Sequence, residues 1–63
     1  MRDELEHFKS LEYWQKEELI EVYDANIKYT DHHAAMCNVM VFSKQQYNIP
    51  LSINEVRALL KIK

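Results

Sequence analysis

Residues 31–55 read DHHAAMCNVMVFSKQQYNIPLSINE, and the fold class turns on them. Asp31, or Thr30 before it, can cap a helix N-terminus, where a short oxygen-bearing side chain takes up an otherwise unpaired backbone N–H. His32 to Tyr47 then reads as a helix. Met36, Cys37 and Met40 fall on one face, and Ala35, Val39 and Phe42 on another. Only Asn38 and Gln45 make a plainly polar strip. A helix apolar on two sides is expected at the centre of the fold, contacted from both. The competing reading is a strand through Val39-Met40-Val41-Phe42, which lacks a second segment to pair with. Asn48-Ile49-Pro50-Leu51 ends the helix, because proline disfavours helical backbone at the residue before it. Ser52 followed by Glu55 is a capping-box pattern. It opens a last helix from Ile53 to about Ile62, with Ile53, Val56, Leu59 and Leu60 facing inward. Arg57, Lys61 and Lys63 project outward, and basic last turns suit the helix dipole.

Upstream, Met1 to Tyr29 carries the strongest periodicity. At 100° per residue, Leu5, Phe8, Leu19, Ile20, Tyr23 and Ile27 share a face, with Tyr13 at its edge. Leu11, Trp14, Val22 and Tyr29 form a second stripe. Helix is expected from Leu11 to Ala25. One unbroken helix of this length would run about 40 Å, whereas a compact chain of this size has a radius of gyration near 11 Å. Either Ser10 caps a fresh helix or the long helix packs on a second chain. Lys28 to Asp31 is the connection to the next helix. The sum is an all-α domain over residues 1–63: three, possibly four, short helices, a helical hairpin plus a capped C-terminal helix, expected to pack as a dimer.

Composition narrows the function classes. The chain has 63 residues, 48% of them apolar, with one cysteine, one proline and no glycine. So small a core rarely supplies more than about 3–5 kcal/mol, and a lone Cys37 cannot form an internal disulfide. Partner chains, a metal or close helix packing remain as supplements. Without glycine, the Rossmann fingerprint and the P-loop are absent. No segment approaches the roughly 20 apolar residues of a membrane span, and residues 1–6 show no secretory h-region. A cytoplasmic protein is expected. Charge is uneven: residues 1–31 hold nine acidic and four basic side chains, residues 32–63 one acidic and four basic. The two halves are expected to attract each other, within one fold or across a dimer. A sharper reading is an acidic surface aimed at a basic partner.

Two clusters invite chemistry. His33 and Cys37, at i and i+4, face the same way and could both bind zinc, with Asp31 adding an oxygen. A structural zinc needs four ligands, and the remainder are not evident. The plainer reading makes Asp31 a cap, the histidines first-turn residues and Cys37 a small core hydrophobe. Cys37 and His33 also have the residue types of a nucleophile and its base. Apolar neighbours would raise the thiol pKa, however, and a chain this short has little room for a pocket. No cofactor, no metal and no enzymatic activity are expected. The carboxylates Glu17, Glu18, Glu21 and Asp24 read as a solvated helix face.

Phe42 to Ile62 resembles a segment of MerR-type regulators. Pro50-Leu51-Ser52-Ile53-Asn54-Glu55-Val56-Arg57-Ala58-Leu59-Leu60 is similar to the Gly-Phe-Ser-Leu-x-Glu-Ile-x-x-Leu-Leu stretch of that family, and the likeness covers about a third of the chain. In those regulators the segment leads into the dimerisation region, and the winged DNA-reading part lies upstream. Residues 1–41 do not resemble that part, so no DNA-reading role carries over. Lys44, Arg57, Lys61 and Lys63 are few positives for duplex phosphates. Nucleic-acid binding, as a small helix-turn-helix-like regulator, is therefore the alternative. The favoured reading is a non-enzymatic protein–protein interaction or regulatory protein. Composition of this kind is associated with small phage or mobile-element proteins that modulate a host protein. The expected interface is Leu11, Trp14, Val22 and Tyr29, because Tyr and Trp are enriched where one side chain must be both buried and wet. A homo-oligomer and a further protein partner are expected; a membrane is not.

Overall fold

The computed structural model describes residues 5–61, and they fold into four helices with no strand among them. These are α1 (Glu6–Ser10), α2 (Tyr13–Ile27), α3 (His32–Tyr47) and α4 (Ile53–Lys61). The beginning of the first periodic pattern at Met1, and Ile62 and Lys63 at the other end, lie outside the described residues. No helix among the described residues is long and apolar enough to cross a membrane.

The N-terminal pattern is two helices, divided at Leu11-Glu12, where both residues have extended backbone (ψ 136° and 159°). Ser10 does not cap the second. Its Oγ donates to the His7 carbonyl at 2.7 Å and finishes α1 instead. Glu12 takes the N-cap position of α2, and its backbone N–H donates to Gln15 Oε1 at 2.8 Å. The link breaks the angular progression of a continuous helix. Leu11 therefore turns away from Trp14 and into the core, where it is 6% exposed.

α2 and α3 form an antiparallel hairpin. The first turn of α2 meets the last turn of α3 through Trp14 and Tyr47, while Tyr23 meets His32 near the connection. Asp31 caps α3, its Oδ1 accepting from the Ala34 N–H at 2.8 Å. Asn38 Nδ2 donates to Asn26 Oδ1 at 2.7 Å, and Asn26 Nδ2 donates to the Val22 carbonyl at 2.7 Å. The polar strip of α3 is thus tied to α2. Val39 is fully buried within the α3 helix, which disposes of the strand reading. At the far end, Asn48 adopts the left-handed conformation (φ 57°). That position usually takes glycine, and asparagine is the common substitute, so a chain without glycine closes its central helix with the next residue type in line. Lys44 Nζ donates to Asn48 Oδ1 at 3.0 Å. The buried Ser43 Oγ donates to the Ile49 carbonyl at 2.8 Å.

The core forms where α2, α3 and α4 meet. Leu11, Leu19, Met36, Val39, Leu51, Val56 and Leu59 are its buried apolar members. The α4 capping box closes as its sequence implies: Glu55 Oε1 accepts from the Ser52 N–H at 2.9 Å, and the Glu55 N–H donates to Ser52 Oγ at 3.2 Å. Of the expected inner face of α4, Val56 and Leu59 are buried, and Ile53 and Leu60 are half-buried against them.

Candidate protein-contact face

Trp14 lies in the first turn of α2 and Tyr47 in the last turn of α3. Their rings meet edge to face, centroids 5.6 Å apart at 87°. Tyr47 makes a second edge contact with Phe42, at 5.8 Å and 83°. Its hydroxyl donates to Glu18 Oε1 at 2.5 Å. Partial burial, together with the hydrogen bond to Glu18 and that carboxylate's charge, holds the Tyr47 phenol well above its ordinary range. The hydroxyl therefore stays protonated and keeps donating. One exposed indole thus packs against a ring that is itself held at two points.

Trp14 remains 56% exposed despite that contact, and Tyr13 beside it is more exposed still. The Tyr13 phenol is held above its ordinary range by its hydrogen bond to Glu17 and by that carboxylate's charge. Glu12 and Glu17 are exposed on the same turns. The adjoining Lys16 turns toward α1, with its Nζ 4.8 Å from the centroid of the Phe8 ring. The face around Trp14 is therefore aromatic, with acidic neighbours.

The four residues expected at an interface do not share one surface. Leu11 is enclosed within the chain, and Val22 is half-buried against the core. Tyr29 is 89% exposed at the tip of the hairpin. Trp14 and Tyr29 stand at opposite ends of α2, which separates them by roughly 20 Å at 1.5 Å per residue. The link at Leu11-Glu12 takes Leu11 off the stripe, and the length of α2 sets Trp14 and Tyr29 apart. The neighbours of Trp14 on this face are Tyr47 and, through it, Phe42 and Glu18, none of which the stripe contains. The antiparallel hairpin contained the signal for them, since it places the last turn of α3 beside the first turn of α2.

The other clusters are thinner. Cys37 Sγ and His33 Nε2 lie 3.7 Å apart, one helical turn from each other. Tyr23 Oη and His32 Nδ1 are 2.7 Å apart, so His32 faces α2 rather than His33. Among the described residues, no group of three or more His, Cys, Asp or Glu side chains could hold a metal ion. EDTA is accordingly expected to leave the melting temperature unchanged. A large drop, reversed by zinc, would require ligands shared between two copies of the chain. An open depression of about 320 Å³ lies over Met40, Val41, Lys44, Gln45, Pro50 and Leu51. Its lining is apolar apart from Lys44 and Gln45, and it brings no acid–base pair together. Compared with protein-family models, curated proteins and solved structures, the chain matches none.

Proposed function

We propose that this chain is a non-enzymatic interaction protein that contacts another polypeptide through the face around Trp14. One observation carries the reading: the largest apolar side chain is more than half exposed, yet it is held in place by Tyr47, which is fixed in turn by Glu18 and Phe42. A surface aromatic that already packs on a neighbouring ring has less conformational freedom to lose on binding, which suits an interface anchor. The small core adds a second reason, because chains of this size often draw stability from a partner.

A second copy of the chain is the first partner to test. Trp14 is the only tryptophan, so emission excited at wavelengths that tyrosine does not absorb reports on this face alone. Across the micromolar range, the mass at sedimentation equilibrium should rise above the 7.6 kDa of one chain. Tryptophan emission should move to shorter wavelength over the same range. A constant 7.6 kDa with unchanged emission would eliminate self-association and leave a different protein as the partner. Salt separates this reading from a DNA-binding regulator. Duplex affinity falls steeply with salt, whereas an aromatic protein contact responds little.

A further inference from the structure

Glu55 is the only acidic residue in positions 32–63, and it is 2% exposed. Its two carboxylate oxygens serve two helices. Oε1 accepts from the Ser52 N–H at the head of α4. Oε2 accepts from the Phe8 N–H in α1 at 2.6 Å, across 47 positions of sequence. Phe8 N–H belongs to the first turn of α1, where backbone donors have no partner within the helix. Leu5, at the N-cap of α1, makes no side-chain capping bond. Glu55 thus supplies from α4 a cap that the Leu5 side chain does not give. His7 Nδ1 stands 3.5 Å from Oε1.

α1 has five residues, and none of its side chains is fully buried. A helix this short does not persist alone in water, so it depends on where it docks. We propose that α1 is a strap latched by the Glu55 carboxylate. When that carboxylate loses its charge, α1 lifts from α4 as a unit before the α2–α3 hairpin opens. The apolar surface under Phe8, next to Leu11, is then uncovered.

Protonation is one trigger. Burial pushes the Glu55 carboxyl up, but the bonds from Ser52 and Phe8 and the charge of His7 outweigh it and hold the group below its ordinary 4.5. A depressed folded-state pKa means the stabilisation is complete above 4.5 and is lost as pH falls through the lower folded value. On the elements packed against α4, His7 of α1 is the titratable group beside Glu55. Lys16 of α2 lies over the Phe8 ring, Glu18 and Tyr47 engage each other, and Lys44 of α3 reaches Asn48. Arg57 and Lys61 of α4 itself are exposed.

Residue-resolved amide exchange on the full chain tests the latch. Glu55→Gln keeps one acceptor oxygen and puts a donor where the other stood, so it cannot serve both N–H groups. At neutral pH the variant should lose about tenfold or more protection at Phe8 and Lys9, the loss of a charge-assisted hydrogen bond, while Leu19 and Val39 hold theirs. Unchanged protection at Phe8 overturns the proposal, as does equal loss at all four amides. If circular dichroism shows the variant unfolded, the unmodified chain decides. As pH is lowered below 4.5, protection at Phe8 and Lys9 must fall ahead of that at Leu19 and Val39, and simultaneous loss overturns the proposal.

Discussion

Leu19→Ala should leave the chain largely unfolded at room temperature. Leu19 is fully buried in α2, inside the cluster that joins α2 to α3 and α4. Truncating such a leucine costs the lost transfer energy plus a cavity term, together about 3–5 kcal/mol. A core of this size supplies about the same amount in total. The deficit is therefore comparable to the whole stability rather than a fraction of it. Far-UV circular dichroism at 25 °C should show most of the helical signal gone, and urea titration should show no folded baseline. If a cooperative transition survived near the original midpoint, the helices would be drawing stability from something other than this core. Repeating the titration at tenfold higher concentration would then show whether assembly supplies it, because mass action raises the midpoint of an oligomer and not of a monomer.

The elements with strong local signals were legible. Asp31 marks the start of α3 and caps it. Asn48-Ile49-Pro50-Leu51 marks its end, although the left-handed turn at Asn48 closes the helix before the proline acts. Ser52 and Glu55 announce α4 and form both halves of their box. The link at Leu11-Glu12 was not legible, because nothing there punctuates the chain. It has no glycine or proline, and Ser10 one residue earlier offered a more familiar cap. That single misplacement carried Leu11 onto the same stripe as Trp14. The second duty of Glu55 was hidden for another reason. A capping box is a contact across three residues, whereas the bond to Phe8 spans 47 and exists only once α1 and α4 are packed. Tyr47 was similarly out of reach, since its role depends on Glu18 and Trp14, which lie on another helix. Local chemistry wrote the helices, and the candidate contact face arises from contacts between them.

Trp14→Ala should do the opposite of Leu19→Ala: keep the fold and lose the contact. At 56% exposure, the indole contributes chiefly an edge-to-face contact with Tyr47. Such pairs are worth about 0.5–1.5 kcal/mol beyond the area they bury, and a half-exposed ring outside the buried core costs less to remove than a fully buried one. The helical spectrum should persist with a modestly lower melting temperature. Assembly, or capture of a partner, should weaken by about 2 kcal/mol or more, the loss expected for an aromatic anchor at the centre of an interface. Tyr47→Phe refines the test. It keeps the ring against Trp14 and removes only the hydroxyl bonded to Glu18. If fixing the indole contributes to binding, this variant should fall between the parent and Trp14→Ala with no change in α-helical content. If Tyr47→Phe binds like the parent, the indole acts by area alone. If Trp14→Ala unfolds, the tryptophan is holding the hairpin closed rather than facing a partner. The same sizing run and melting curve, measured on all three chains, separate these outcomes. For Trp14 to be an anchor, assembly must weaken while the single chain stays folded, and any fall in melting temperature beyond that modest one must vanish at concentrations where the parent is itself monomeric, because mass action ties an oligomer's stability to its assembly.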